Sequence, residues 1–172
     1  RIPGGNTRLF VSELGDLNIV DLKPYWIDKY EVTNSDYQNF INAGGYKNKV
    51  YWDKIIGEDG KNIRWEAAME LFVDQSGLSG PSTWTNGTYQ SNQENYPVTG
   101  VSWYEARAYA KWSGKKIPTI YHWYRAAMRW GESSAISPRS NFSGGPSEGG
   151  KYKVLSYYGC FDMAGNVWEW CM

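Results

Sequence analysis

Asp162-Met163-Ala164-Gly165-Asn166-Val167-Trp168-Glu169-Trp170 sets two acids, a turn glycine and two tryptophans within nine residues. It leads into an apolar, strand-like run over residues 166–172. Outward from this phrase the same pairing of large rings with turn residues holds for the whole chain. There are 10 Trp, 14 Tyr and 5 Phe, 17% of the residues, beside 19 Gly, and mean hydropathy is -0.61. A few rings must supply most of the buried area, with polar, glycine-rich loops between them. The pattern predicts an irregular, loop-rich α+β domain.

The 172 residues suffice for one domain with a real core. Lys+Arg 18 against Asp+Glu 18 gives a formal net charge of +0. That leaves no global field to attract nucleic acid or an acidic membrane. No segment has the roughly 18 consecutive apolar residues of a membrane helix, and the amino end shows no signal-peptide run, so the chain reads as a soluble piece. Cys160 and Cys171 can pair or stay free, which leaves the compartment open. With His122 the single histidine, the chain cannot build a multi-histidine metal site.

Residues 2–30 read as short strands, including the alternating run 17–22 and the aromatic stretch 25–30. Thr33 and Asp36 form a capping box that starts a helix with Tyr37, Phe40 and Ile41 on one face, and Gly44-Gly45 stop it. A further short helix is expected over 63–72, with Trp65, Ala68, Met69 and Phe72 inward. Residues 75–100 are a long loop. Ser102 and Glu105 cap the clearest helix, Val101 is its staple partner and Gly114 ends it. Thr119 caps another over 120–130, with Trp123, Ala126, Ala127 and Trp130 inward and Gly131 as its stop. No fixed-period repeat or phosphate-cradling loop is present.

Four phrases in one order carry a resemblance. They are Trp26-Ile27-Asp28-Lys29-Tyr30-Glu31-Val32-Thr33-Asn34, Tyr96-Pro97-Val98-Thr99-Gly100-Val101-Ser102-Trp103-Tyr104-Glu105-Ala106, Gly114-Lys115-Lys116-Ile117-Pro118-Thr119, and the phrase from Asp162 to Trp170. Together they resemble the formylglycine-generating enzyme, or sulfatase-modifying factor, family over nearly the whole chain. Gly44-Gly45-Tyr46, Tyr51-Trp52, Gly80-Pro81 with Trp84, and the run from Pro118 to Ala127 resemble the subgroup attached to bacterial signalling proteins such as serine/threonine kinases. The resemblance implies a C-type-lectin-like fold. It also implies a single domain over residues 1–172 whose carboxyl-terminal portion lies past Met172. Sulfatase modifiers usually have an acid where His122 stands, which weakens transfer of their activity.

The family's oxidase chemistry uses a carboxyl-terminal cysteine pair that binds copper(I), since soft thiolates select that ion. Neither Cys160 nor Cys171 corresponds to that pair, so no catalytic residue is assigned and copper is expected only if such cysteines follow Met172. The related sulfoxide-forming enzyme of ergothioneine synthesis would need a histidine-rich iron domain. By the same resemblance a structural calcium site maps to Glu31, Asp162, the carbonyls of Gly165 and Val167, and Glu169, oxygen donors that suit a hard cation. The alternative is that these acids satisfy loop amides and pair with a surface cation. A second family site would begin at Asn141-Phe142, but the acidic segment completing it is shortened, and it is not assigned.

His122, third in its helix, is expected to hydrogen-bond back to the cap rather than act as a base. Trp103, Trp112, Trp123 and Trp168 are expected in the core; Trp52, Trp84 and Tyr89, in loops, are the candidate ligand surface. The expected function is a non-catalytic recognition module of a larger protein, binding a protein, peptide or glycan, with no nucleic-acid partner. The alternative is a copper-dependent formylglycine-generating oxidase acting on sulfatase cysteines.

Overall fold

The computed structural model describes residues 1–11, 15–128 and 139–172. In chain order its elements are β1 (Gly5–Thr7), β2 (Phe10–Val11), β3 (Gly15–Asp16), β4 (Val20–Leu22), α1 (Asn34–Asn42), a 3-10 turn (Lys49–Tyr51), β5 (Ile55–Ile56), β6 (Asn62–Ile63), α2 (Trp65–Met69), α3 (Trp103–Trp112) and α4 (Ile120–Ala127). Short strands and helices joined by long loops match the mixed, loop-rich class expected from the glycine and ring content. The chain divides into two compact units, one of Arg1–Glu31 with Pro118–Met172 and one of Val32–Ile117.

In the first unit β1 pairs antiparallel with β4, and β2 with β3. The strand expected over 25–30 does not form. Only a bridge between Ile2 and Tyr25 remains, because the Lys29 carbonyl accepts from the Phe161 amide at 2.9 Å and Tyr30 stacks on the Phe161 ring at 4.9 Å. Nor is 166–172 a strand. Its end is held by two bonds, Met172 N–H to the Pro118 carbonyl at 2.9 Å and Ile120 N–H to the Met172 carbonyl at 3.2 Å.

Thr119 caps α4 as expected. The helix ends at Ala127, however, since Met128 is extended with φ -124 and ψ 136; Trp130 and Gly131 lie outside the described residues. Ala126 and Ala127 are fully buried and let α4 approach Ile2, Cys160 and Met163 closely, with Trp123 packed at the side. Arg125 ties α4 to the amino-terminal backbone. Its guanidinium donates to the Pro3 carbonyl at 2.7 Å and the Gly4 carbonyl at 2.5 Å.

The second unit is built on rings. Tyr37, Phe40, Tyr46, Trp52, Ile55, Ala68, Trp84 and Ala108 form its buried core. Trp52 and Trp84, expected on a ligand surface, are therefore interior, Trp84 being only 3% exposed. Burial is tolerable because each indole N–H finds an acceptor, Gly45 carbonyl at 2.9 Å for Trp52 and Asn34 Oδ1 at 3.2 Å for Trp84. Tyr89 is half-buried edge-on to Trp84 at 5.3 Å. Trp168, expected in the core of the first unit, is instead 102% exposed. Ring size alone did not separate the two environments.

α2 is shorter than expected because Ile63 belongs to the β5–β6 hairpin, yet Trp65, Met69 and Phe72 still pack on the core beside Ala68. Residues 75–100 contain no helix or strand among the described elements. Asp74 organises their start. Its Oδ1 accepts from Ser76 N–H at 2.8 Å and Leu78 N–H at 3.0 Å, and its Oδ2 from Gly87 N–H at 2.7 Å. Burial opposes ionisation here, but the hydrogen bonds from Ser76, Gly87 and Leu78 outweigh it and hold the carboxyl down at about 2.

Both predicted capping boxes are present, Thr33 with Asp36 on α1 and Ser102 with Glu105 on α3. Glu105 does more than cap. Its Oε2 accepts from Ser102 N–H at 2.7 Å, while its Oε1 accepts from Tyr46 Oη at 2.6 Å, and Tyr46 Oη lies 3.1 Å from Tyr37 Oη. The carboxyl is 3% exposed, and burial pushes its pKa up against the pull of the Tyr46 and Ser102 hydrogen bonds. Removing it leaves a buried phenol and the α3 entry unsatisfied together. Glu105→Ala is expected to lower unfolding free energy by about 1.5–5 kcal/mol, the sum of a lost cap and an orphaned buried group. Denaturant unfolding checks this; a loss below about 1 kcal/mol, the size of a cap alone, would remove the Tyr46 contact from the account.

Candidate functional site

The residues from Asp162 to Glu169 line an open cavity of about 650 Å³ in the first unit, together with Trp123, Asn141 and Phe142. Its floor is a turn of left-handed residues, with φ 53° at Asp162, 79° at Gly165 and 61° at Asn166. Gly165 is required twice over. Its φ disfavours any side chain, and a Cβ there would stand 2.4 Å from the Asn141 carbonyl oxygen. Asparagine tolerates the same region better than most residues, which explains Asn166.

Asn166 is the hub of the site. Its backbone N–H donates to the Asn141 carbonyl at 2.7 Å. Its side-chain oxygen accepts from Asn141 Nδ2 at 3.1 Å and from Ser147 N–H at 2.9 Å. Its Nδ2 donates to Glu31 Oε2 at 2.6 Å and to the Ser147 carbonyl at 3.2 Å. One amide thereby joins three stretches of chain that are far apart in sequence. Sequence reasoning placed Glu31, Asp162, Glu169 and the carbonyls of Gly165 and Val167 here but missed Asn166, Asn141 and Ser147 as a network. The available signal was the Gly165-Asn166 pair, two residues suited to left-handed backbone in succession.

Of the three acids expected as ligands, Glu31 joins this network directly, while Asp162 and Glu169 line the cavity. Glu31 uses one oxygen on Asn166, while its Oε1 is buried with no hydrogen-bond partner. Asp162 Oδ2 accepts from the Gly150 N–H at 2.6 Å. Glu169 Oε2 accepts from the Trp123 indole N–H. Desolvation pushes the Glu31 carboxyl up to about 8; hydrogen bonds from Asn166 and the Val167 backbone lower it in part, and the charges of Glu169 and Asp162 raise it further. Glu169 is raised as well, by desolvation first, with Trp123 opposing and Asp162 adding. Among the described residues no group of three or more His, Cys, Asp or Glu is placed so that it could hold a metal ion. What does stand there is a buried oxygen without a donor, facing the field of two other acids.

Both thiols are free of disulfide bonding. Cys160 is buried, and desolvation pushes its pKa up, partly offset by a hydrogen bond from Ser156. Cys171 lines the cavity and is raised to about 11, by desolvation and then by Glu169. Neither carries an appreciable thiolate fraction at neutral pH. His122 Nδ1 lies 2.6 Å from Thr119 Oγ1, the cap contact expected of it, and Tyr25 packs edge-on against its ring at 4.7 Å.

Three relatives bear on this site. A formylglycine-generating enzyme of Thermomonospora curvata is 28% identical over 209 residues, covering 99% of this chain and 69% of that protein. A hercynine oxygenase of Mycobacterium tuberculosis is 32% identical over 169 residues, covering 89% of this chain and 38% of that protein. The serine/threonine-protein kinase pkn1 of Chlamydia caviae is 30% identical over 162 residues, covering 87% of this chain and 23% of the kinase. The chain thus spans from about a quarter to about two thirds of the length of these relatives. Similarity at this level joins proteins of three different names, so it identifies a family and not a reaction. With the sulfatase-modifying factor enzyme 1-like domain matching residues 1–172, the chain belongs to that family.

Proposed function

We propose that this chain is a non-catalytic recognition domain of its family, binding a protein, peptide or glycan ligand as part of a larger, signalling-associated protein. The observation that carries this reading is the state of the cysteines. Copper(I) oxidase chemistry needs a pair of soft thiolates, and the two thiols here form no disulfide and are raised by desolvation, so both are held in the thiol form. The kinase relative supports a role in signalling proteins. The loop-rich assembly of short strands and capped helices is consistent with a C-type-lectin-like arrangement. Of the three candidate rings Trp52, Trp84 and Tyr89, Tyr89 is the one left half-exposed for a ligand.

A second reading is favoured by the bacterial formylglycine-generating enzyme, of which this chain covers 69%. In it the chain is part of a copper-dependent oxidase of sulfatase cysteines whose cysteine pair lies past Met172. An activity assay tests the first reading, and the coding sequence separates the two. The 172-residue chain, incubated with a cysteine-containing sulfatase peptide, copper(I) and oxygen, is expected to yield no aldehyde by mass spectrometry. Aldehyde formation would overturn the first reading. A coding sequence with two closely spaced cysteines after Met172 would move the weight to the second.

Calcium is part of the same proposal. Glu31, Asp162 and Glu169, with the carbonyls of Gly165 and Val167, would hold it, and its charge would neutralise the three carboxylates and lock the turn. The orphaned Glu31 oxygen supports this over simple satisfaction of loop amides. The pH dependence has a definite sign. Without metal, the folded pKa of Glu31 is raised from 4.5 to about 8. Its contribution to stability is therefore fully present below 4.5 and is lost as pH rises through about 8. In chelator the melting temperature is expected to fall across that window, and Glu31→Gln should flatten the fall. Calcium at about a hundredfold over its dissociation constant should restore roughly 2.7 kcal/mol at pH 8, and Asp162→Ala should abolish the restoration. An identical melt with calcium and with chelator would speak for loop satisfaction alone.

A further inference from the structure

Asn86-Gly87 is the single Asn-Gly pair in the sequence. It occupies the centre of a tight turn in the second unit. Thr85 and Thr88 pair antiparallel across it, exchanging backbone hydrogen bonds at 3.1 and 3.3 Å. Asn86 and Gly87 have φ of 56° and 75°, the mirror-image turn conformation that this pair favours. The pair also carries an intrinsic chemistry. Once deprotonated, the Gly87 nitrogen can attack Asn86 Cγ, because no side chain at residue 87 shields it. A C–N bond closes a five-membered succinimide, the Cγ–Nδ2 bond breaks, and ammonia leaves with the proton. Water then opens the ring to aspartate or isoaspartate. The net change is amide nitrogen for water oxygen, and no oxidant or reductant is needed.

The electrophile is accessible, whereas the nucleophile is held. Asn86 is exposed, and its side-chain amide has no partner among the described residues. Gly87 N–H, by contrast, donates to Asp74 Oδ2 at 2.7 Å. The neighbouring Asn86 N–H donates to Ser76 Oγ at 2.9 Å, and Ser76 Oγ donates to Asp74 Oδ1 at 2.7 Å. Asp74 is 5% exposed, so this clamp is anchored in the body of the unit. It fixes the peptide plane whose nitrogen must turn toward Cγ for the reaction to proceed.

We propose that Asn86 is a site of spontaneous deamidation in this domain, and that Asp74 restrains the reaction by holding the Gly87 amide in the turn. Conversion to aspartate puts a second negative charge beside the amide that Asp74 holds. Conversion to isoaspartate inserts a methylene into the main chain of a two-residue turn and destroys the Thr85–Thr88 register. Either product loosens the loop of residues 75–100 at the end where Asp74 organises it.

Peptide-mapping mass spectrometry with an isoaspartate assay tests this on the full chain at mildly alkaline pH, comparing native wild type, wild type in denaturing urea, Asp74→Ala, Ser76→Ala and Asn86→Gln. Native wild type is expected to deamidate slowly at residue 86 and several-fold faster in urea. Native Asp74→Ala should be several-fold faster at that residue alone, with the other asparagines unchanged and no such product from Asn86→Gln. If Asp74→Ala does not fold, Ser76→Ala, which removes one arm of the clamp, should show a smaller acceleration in the native state. Equal rates in native and denatured wild type would overturn the restraint. No deamidation at Asn86 in the denatured chain would overturn the site itself.

Discussion

The second unit depends on one buried carboxylate. Glu105 closes the amino terminus of α3 through the Ser102 amide and at the same time accepts from Tyr46, whose hydroxyl meets Tyr37 of α1. Helix entry and core ring packing are therefore coupled through two oxygens of one side chain. A carboxylate at 3% exposure is costly unless both oxygens are engaged. Here both are, and the phenols stay neutral because burial raises Tyr37 and Tyr46 far above the ordinary tyrosine range. The rings then pack around the pair, Tyr37 stacking on Tyr109 at 5.4 Å and meeting Phe40 edge-on at the same distance.

Glu31 in the first unit is the instructive contrast. It too is a carboxylate held in place by a partner distant in sequence, Asn166 in this case, yet only one of its oxygens is engaged. Glu105 is a completed structural group, whereas Glu31 is an incomplete one beside two further acids. The same physical rule, that buried oxygens require partners, reads as structure in one unit and as a candidate site in the other. Asp74 lies between these cases. It is saturated by backbone amides, and it holds a loop instead of a core.

Much of the local structure was legible from residue types. The Thr33–Asp36 and Ser102–Glu105 boxes announced α1 and α3, and Thr119 announced α4, because a cap needs only the chemistry of residues three apart. Strands were harder to read. The stretches 25–30 and 166–172 have strand-like composition, but a strand exists only where another segment offers its amides. Phe161 and Pro118 offered single bonds in place of ladders. Rings were misplaced for a related reason. Trp52 and Trp84 sit in loops yet are interior because Gly45 and Asn34 accept their indole protons, and Trp168 is exposed although its phrase is the most distinctive in the chain.

What the sequence determined by itself was the family and the local grammar: the ordered phrases, the caps, the lack of net charge, and the single histidine that rules out a multi-histidine centre within these residues. Through the family resemblance it also put forward the acids Glu31, Asp162 and Glu169 as candidates without coordinates. Tertiary structure alone decided which of those oxygens is satisfied, that Asn166 gathers Asn141, Ser147 and Glu31 into one network, and which tryptophans are inside. The physical reason is range. Capping and turn chemistry act over three or four residues, whereas a buried polar atom is satisfied by whatever the fold brings within 3 Å of it, as Asn166 is brought to Glu31 across 135 residues of chain.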